Sequence, residues 1–454
     1  MWMKFRISKV SQLAGKMRRH ADSRPFPQRS YSFRFWQPTQ AALLARLGSC
    51  ARHIPGRNFL LRSISPGSLM IPNVLGWNIR GRTLESRLAE TGFVGPGFDE
   101  VRLAAAITVL LHHAHSSIDD AKADLLFAFS GGFLHFGLLA VLVFFAISGF
   151  LVAPGLVRSG KVINYATSRA LRIFPALAVV VISSMILVGP ILTTLPLPRY
   201  FSDAGLPLYV KNILTLTYDF LPGVQLPGGH PAIVNGALWT LHFEVLSYIA
   251  LALMSVVGIL ARPRLVLVVF LAAYVLYVAN GIFPAFAERL PGRFVTFISL
   301  FVYFASGVAL STFRRTIPYS AALAGLAFLI LLASLASGAG IVAAPLCLPY
   351  LVVFAGLSNL PGRSFIRRDL SYGVYLIHAP VLCCLSIMYP AIQSWLFAAL
   401  VAMTVTLPLS YLSSILVEQP ALTRKKIVAG WIGGRLNLIR STMVRLVRVQ
   451  DIGT

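Results

Sequence analysis

From Phe98 onward, long apolar stretches alternate with short polar breaks, whereas residues 1–90 contain no long apolar run. A transmembrane helix needs ~20 predominantly apolar residues, so the pattern predicts an all-α, polytopic membrane protein with about ten transmembrane helices. The candidate spans are 99–117, 133–154, 172–194, 237–260, 265–282, 293–312, 319–336, 339–357, 371–389 and 393–416. The seventh and eighth spans also fit one long helical hairpin that is broken at Gly338–Gly340.

The composition supports this fold class. Of the residues, 57% are hydrophobic and 12% are charged. An ordinary soluble domain carries about 25% charged residues, so this chain lacks the polar surface of a soluble protein. Its apolar excess also excludes a disordered chain. The net charge of +25 would suggest nucleic acid as a partner of a soluble protein, but Lys and Arg concentrate here in the terminal segments and short loops. We therefore expect membrane lipid, and no nucleic acid, as a partner.

Loop charges predict the orientation, because cytoplasmic loops carry an excess of Lys and Arg. With a cytoplasmic N-terminus, the inner loops contain eleven Lys and Arg residues and the outer loops five. Both termini are therefore expected to be cytoplasmic. The longest outer loop, 195–236, is rich in Pro and Gly, and a loop of this length is often functional.

Three regions follow from this pattern. We expect a basic, largely disordered cytoplasmic extension at 1–97, a transmembrane domain at 98–420 and a basic cytoplasmic tail at 421–454. The first residues lack the apolar core of a secretory signal. A translation start placed too early and an organellar transit peptide are the alternatives for the extension.

The first span carries a basic residue and an imidazole on one face. Arg102 and His113 are eleven positions apart, which at ~100° per residue is three turns plus ~20°, or ~16 Å along the axis. Charge within a span is costly and tends to mark function. The alternative is an arginine whose head reaches the interface, together with interfacial histidines.

Two further spans contain polar residues. In the fourth span, Glu244 needs a partner or a proton, and Tyr248 shares its face. In the ninth span, Ser371, Tyr375 and His378 follow the i, i+4, i+7 spacing and form a polar stripe. Hydrogen bonding between helices explains this stripe as well as catalysis does.

Other patterns carry less weight. Ser148 and Gly149 suit close helix packing, and no Gly-x-Ser-x-Gly elbow supports a nucleophilic serine. His115 and Asp120 match a His-x4-Asp acyltransferase pattern, but two fixed positions arise often by chance. The cluster of His112, His113 and His115 has no nearby carboxylate or thiolate that completes a ligand set, so no metal site is expected.

In order along the chain, six motifs resemble those of acyltransferase family 3, a family of integral membrane O-acyltransferases that modify bacterial surface glycans. The resemblance covers 98–420. The motifs are Phe98-Asp99 with Arg102-x10-His113, Phe144–Leu151, Arg169-Ala-Leu-Arg172-Ile-Phe-Pro175, Asn235–Glu244, Leu370–Pro380 and Val417-Glu418-Gln419-Pro420.

The resemblance implies a multi-pass protein of the bacterial inner membrane, with ten core spans and the pair of Arg102 and His113 central to activity. It also implies transfer of an acyl group, expected to be acetyl, from cytoplasmic acyl-CoA to a hydroxyl of an exopolysaccharide, lipopolysaccharide or lipid-linked sugar. Acyl-CoA is then a co-substrate, and no bound cofactor is expected.

A mechanism follows as a hypothesis in which His113, Glu244 and Arg102 are the catalytic residues. His113 removes the proton of the acceptor hydroxyl, because histidine titrates in the useful range. Glu244 orients the imidazole, as a buried carboxylate does in a catalytic triad. Arg102 holds the phosphate-bearing end or the thioester oxygen of the donor.

Further residues are assigned to the two substrates. Arg169 and Arg172, at the inner rim of the third span, suit donor phosphates by bidentate contact, and we place Ser148 with them. A pure topology signal is the alternative for these arginines. Trp239, Tyr375 and His378 are placed on the acceptor side, and an aromatic-belt role is the alternative for Trp239.

Two other functional classes compete with an enzyme. A transporter or flippase of a lipid-linked sugar or acyl group also needs polar residues within its spans. However, the two halves of the chain show no internal repeat of the kind that many transporters have. If the protein were a membrane scaffold, the presence of the polar residues Glu244 and His113 within the spans would have no functional explanation.

Overall fold

The computed structural model describes residues 82–118, 124–360 and 368–435. In these residues, ten long helices follow one another, and β-structure is limited to isolated bridges. The helices are α1 (Phe98–Ile118), α2 (Phe136–Ser159), α3 (Val162–Ser183), α4 (Trp239–Val256), α5 (Pro263–Ile282), α6 (Gly292–Thr312), α7 (Ala321–Ser337), α8 (Gly340–Leu357), α9 (Ser371–Met388) and α10 (Trp395–Ser413). The all-α prediction is confirmed, and each helix overlaps one predicted span.

Eight helices in the described part of the chain are long and apolar enough to cross a membrane. The other two long helices are α1, whose first turn carries Asp99 and Glu100, and α7, which has only 17 residues. The chain is therefore a multi-pass membrane protein. The count of ten spans and the cytoplasmic position of both termini stay predictions.

Local sequence signals set the ends of the hairpin formed by α7 and α8. The Ser320 side chain accepts a hydrogen bond from the amide of Leu323 and caps the start of α7. Gly338 ends the helix with a φ of 80°, a left-handed conformation that glycine adopts without a steric penalty. The predicted break at this glycine is confirmed.

The most extensive helix packing in the described residues joins α2 to α6. A Cβ atom at Gly149 would lie 2.0 Å from the carbonyl oxygen of Phe304, and one at Gly307 would lie 2.3 Å from that of Ala146. Only glycine permits such a close approach of two backbones. The predicted packing role of Gly149 is confirmed, and this contact positions the neighbouring Ser148.

The N-terminal boundary differs from the prediction. A short helix, Leu84–Glu90, packs onto the membrane domain with Leu84 fully buried. Glu85 pairs with Arg314, and the amide of Leu84 donates to the carbonyl of Ile317 at 3.0 Å. Burial of apolar side chains thus draws residues 82–97 into the folded domain. Residues 1–81, the rest of the predicted extension, lie outside the described residues.

Helix α3 begins ten residues before the predicted span, at Val162, and its helical backbone continues through a π-helical turn, Ser184–Val188, to Leu192. Arg169 and Arg172 therefore lie within the helix, and their position at the inner rim stays a prediction. Long arginine side chains allow this position, because their apolar stems pack along a helix while their charged heads find polar groups.

The predicted outer loop 195–236 is more ordered than its composition indicates. It contains the short helices Leu197–Ser202 and Gly205–Val210 and a 3-10 turn, Lys211–Leu214. The buried side chain of Asn212 donates to two backbone carbonyls and accepts from the amide of Tyr218. Side-chain hydrogen bonds of this kind replace regular structure in such loops.

Candidate active site

One face of α1 presents both Arg102 and His113 to the region of α9. The Arg102 guanidinium lies 3.5 Å from a carboxylate oxygen of Asp369, which precedes α9 by two residues. His113 Nδ1 lies 2.7 Å from Nε2 of His378 within α9. The prediction that the two residues share one helix face is confirmed, since one neighbouring segment contacts both.

A cavity of about 90 Å³ lies between α1, α2, α3, α4 and α9. Its polar lining consists of Arg102, Ser148, Arg169, Arg172, Thr240, Glu244, Tyr248, Ser371, Tyr372 and Tyr375. All three predicted donor-binding residues and two of the three predicted catalytic residues thus converge on one cavity. His113, His378 and Trp239 are not among its lining residues.

Acidic residues hold two of the cavity arginines in place. Arg172 donates to a carboxylate oxygen of Asp369 at 2.5 Å and to one of Glu418 at 3.4 Å. Burial alone would raise the pKa of the Asp369 carboxyl, but the charges of Arg172 and Arg102 outweigh it and hold this pKa below its usual value. Asp369 is therefore charged at neutral pH and bridges the two arginines.

Arg169 is bound differently. Its guanidinium lies over the ring of Tyr248, 5.8 Å from the centroid, and donates to the hydroxyl of Ser168 at 3.3 Å. Within the described residues it forms no ion pair, and its Nε has no hydrogen-bond partner. This guanidinium can therefore bind an anionic group without first losing a carboxylate partner.

Glu244 lies in this cavity, away from His113. Its carboxylate accepts a hydrogen bond from the Tyr248 hydroxyl at 2.6 Å, and that hydroxyl also lies 3.3 Å from Ser148 Oγ. The expected partnership of Tyr248 is confirmed. The hypothesis that Glu244 orients the His113 imidazole is wrong, because the hydrogen-bond partner of His113 in the described residues is His378.

The polar stripe of α9 faces the protein interior. Ser371 Oγ donates to Asp369 at 2.5 Å, and the Tyr375 hydroxyl bonds to Thr240 Oγ1 at 2.5 Å and to the carbonyl of Ala237 at 2.7 Å. The third member of the stripe, His378, is fully buried next to His113. The stripe therefore runs from the arginine-lined cavity to the histidine pair.

Trp239, which we placed on the acceptor side, is the first residue of α4. Its indole packs edge to face on Phe243 at a centroid distance of 6.0 Å. The aromatic contact anchors the start of the helix. Trp239 is thus near the site in sequence, but it is separated from the cavity lining.

A second cluster joins His112 to Asp124 and His135, in the turn between α1 and α2. One potential ligand atom from each lies within 4.8 Å of the others, a spacing that a metal ion could bridge. The statement that no carboxylate lies near these histidines is therefore wrong, because the turn brings two distant residues back to α1. Asp120, the second member of the His-x4-Asp pattern, lies outside the described residues.

The cluster already has structural hydrogen bonds. The Asp124 carboxylate accepts from three backbone amides and contacts His112 Nδ1 at 3.1 Å. Burial alone would raise the pKa of Asp124, but these hydrogen bonds and His112 lower it. His135 Nδ1 accepts from the amide of Leu138 and caps α2, and burial lowers the pKa of His135 to about 4. These bonds close the turn.

Sequence reasoning missed two acidic residues that organise the cavity. Asp369 is the single acid in the otherwise basic segment 363–371, and that contrast was the available signal. Glu418, whose carboxylate is buried beside Arg172, belongs to a motif that was noted only for its resemblance.

Known proteins are similar to this chain over its helical part. A family model described as an acyltransferase domain matches residues 96–415, which contain all ten long helices of the described chain. An O-acetyl transferase of Shigella phage Sf6 is 30% identical over 342 residues, covering 72% of this chain and 96% of the relative. Nodulation protein 10 of Rhizobium leguminosarum bv. viciae is 30% identical over 352 residues, covering 72% and 92%. No solved structure gives a match.

Proposed function

This chain is an acyltransferase that belongs to acyltransferase family 3, and from that premise we propose that it moves an acetyl group from cytoplasmic acetyl-CoA to a hydroxyl of a bacterial surface glycan. An exopolysaccharide, a lipopolysaccharide or a lipid-linked sugar has the required hydroxyl. The phage relative is named an O-acetyl transferase, which supports acetyl as the acyl group. We place the protein in the bacterial inner membrane, where a cytoplasmic donor and an outer acceptor are both within reach.

One observation carries the proposal. A single uninterrupted helix, α1, holds Arg102 in the lining of the arginine-rich cavity and His113 about three turns further on. The hydrocarbon layer is ~30 Å thick, so one helix with both groups covers a large part of the distance between a donor and an acceptor that arrive from opposite sides.

The cavity suits the donor. Acetyl-CoA carries phosphates at one end and a thioester at the other, and Arg169, Arg172 and Arg102 supply charge and bidentate geometry for phosphate or for the thioester oxygen. Arg169 is the first candidate for the phosphates, because it forms no ion pair among the described residues.

His113 is proposed as the general base. The imidazole is partly exposed, and its Nε2 makes no hydrogen bond within the described residues. It takes the proton of the acceptor hydroxyl as that oxygen forms a bond to the thioester carbon. The carbon–sulfur bond then breaks, and the leaving thiolate receives the proton from the imidazolium.

The two halves of the site meet at Tyr375. Its ring lies 6.2 Å from the ring of His378, and Tyr375 also lines the cavity. Phe144 also lines the cavity and packs edge to face on Tyr375 at 5.8 Å, and we propose that the acetyl end of the donor reaches His113 past these two rings.

The proposal is tested with purified protein in nanodiscs, labelled acetyl-CoA and a candidate glycan. His113→Ala should lower label transfer to sugar by ~10²–10⁴-fold, the usual contribution of a general base. His242→Ala is the matched control, because His242 lies on α4 outside the cavity lining. Arg102→Ala should mainly raise the apparent KM for acetyl-CoA.

Two outcomes would contradict the proposal. Normal transfer by the His113→Ala variant would end the assignment of the base. Movement of unlabelled sugar across the bilayer without any transfer of label would instead support a transporter, the alternative function.

A further inference from the structure

The hydrogen bond between His113 and His378 has a defined direction. His378 Nδ1 lies 2.9 Å from the carbonyl oxygen of Val374, and His378 Nε2 lies 2.7 Å from His113 Nδ1. The two rings are within 15° of parallel, and their centroids are 5.0 Å apart. Because this separation is much larger than the distance between the two nitrogens, the rings meet edge to edge, as a hydrogen bond in the ring plane requires.

The carbonyl determines where the protons are. A carbonyl oxygen can only accept, so Nδ1 of His378 carries a hydrogen and donates it to Val374. In a neutral imidazole the other nitrogen, Nε2, is then an acceptor. His113 must therefore donate from Nδ1, and its own Nε2 is left without a proton.

The neutral form of His378 follows from its surroundings. Its side chain is fully buried, and within the described residues no ion pair includes it. An imidazolium without a carboxylate partner in such a place would be very costly. The rings next to the pair belong to the same two helices, namely His112 beside His113 on α1 and Tyr375 beside His378 on α9.

We propose that His378 is a positioning residue, which holds His113 in the one tautomer whose Nε2 can accept the proton of the acceptor hydroxyl. This inference rests on the proposed function, in which His113 is the base. As His113 becomes positively charged, its hydrogen bond to His378 becomes charge-assisted and stronger. His378 keeps its own proton throughout. A buried histidine bound to a backbone carbonyl thus does what a buried carboxylate does in a catalytic triad.

A pair of amide variants separates this role from mere packing. The side-chain oxygen of His378→Gln reaches the place of Nε2 and can accept from His113 Nδ1. The shorter amide of His378→Asn reaches only the place of Nδ1, so it keeps the bond to Val374 and loses the one to His113. Both variants introduce the same polar group.

The expected result is a large difference between the two. His378→Asn should lower kcat by ~10²–10⁴-fold, the loss expected when a base is no longer held in the right tautomer. His378→Gln should retain most of the wild-type kcat. The KM for acetyl-CoA should stay the same in both variants, because the arginines that line the donor cavity are untouched.

Equal activities of the two folded variants would overturn the inference, whether both are active or both are inactive. His113→Ala, measured beside them, separates the two proposals. A wild-type rate of His113→Ala would refute the proposal that His113 is the base. An inactive His113→Ala together with a normal rate of His378→Asn would refute only the positioning role of His378. If a variant does not fold, the ¹⁵N spectrum of histidine-labelled wild-type protein decides. A proton on His113 Nδ1 supports the inference, and one on Nε2 refutes it.

Discussion

Replacement of Gly149 by alanine should destabilise the protein by forcing α2 and α6 apart. The added Cβ would lie 2.0 Å from the carbonyl oxygen of Phe304, whereas ordinary contact begins at 3.4 Å. Backbone atoms cannot rotate away as a side chain can, so one helix must move by about 1.4 Å at this point. Overpacking of a well-packed interior typically costs ~1–3 kcal/mol.

Gly155 provides the matched control on the same helix, because a Cβ atom there meets nothing within 4 Å. Gly155→Ala should be neutral or should stabilise by up to ~1 kcal/mol, since alanine favours helix more than glycine does. The two single substitutions should thus differ by ~1–4 kcal/mol in the free energy of unfolding.

The measurement is unfolding of the purified protein in mixed detergent micelles with increasing SDS, followed by tryptophan fluorescence. Equal midpoints for Gly149→Ala and Gly155→Ala would refute the reasoning. Such a result would mean that the close approach of the two backbones is not a constraint in the membrane domain.

Three further substitutions or treatments test the ion pairs of Asp369, the hydrogen bonds of Tyr375 and the turn between α1 and α2. Asp369→Asn should lower the free energy of unfolding by ~1–3 kcal/mol, because Arg172 and Arg102 lose their shared carboxylate, and SDS unfolding measures this loss. Because the folded protein lowers the pKa of Asp369, the contribution of this carboxylate to the free energy of unfolding is fully present above the unfolded-state pKa of 3.8 and is lost only as the pH falls through the lower folded-state pKa. The difference in free energy of unfolding between Asp369→Asn and wild type should therefore be the same at pH 8 and pH 5. Tyr375→Phe should cost ~1–3 kcal/mol in the same assay, because the carbonyl of Ala237 loses its buried donor and the Thr240 hydroxyl loses its acceptor, and a wild-type midpoint would contradict the observed bonds. Treatment with EDTA should leave transfer activity unchanged, because the oxygens of Asp124 are already occupied by backbone amides, whereas a loss that Zn²⁺ restores would show a bound ion.

The fold class and the positions of the helices could be predicted because they depend on local sequence. A run of apolar residues indicates a membrane helix regardless of its neighbours, and the hairpin break at Gly338 has its own local cause in a left-handed backbone. Helix α3 begins ten residues before the predicted span, because hydropathy marks only the apolar run, whereas the helical backbone extends beyond it to Val162.

The sequence by itself determined that Arg102 and His113 share one face, since helical periodicity sets that relation within a single element. Only the tertiary structure decided what each of them meets. His113 and His378 are 265 positions apart, and their contact depends on how α1 and α9 pack. Helical spacing had already placed Glu244 beside Tyr248 on α4, whereas helix packing gave the imidazole of His113 a second histidine as its partner. Periodicity can orient a side chain on its own helix, but the partner across the interface is chosen by how the helices pack.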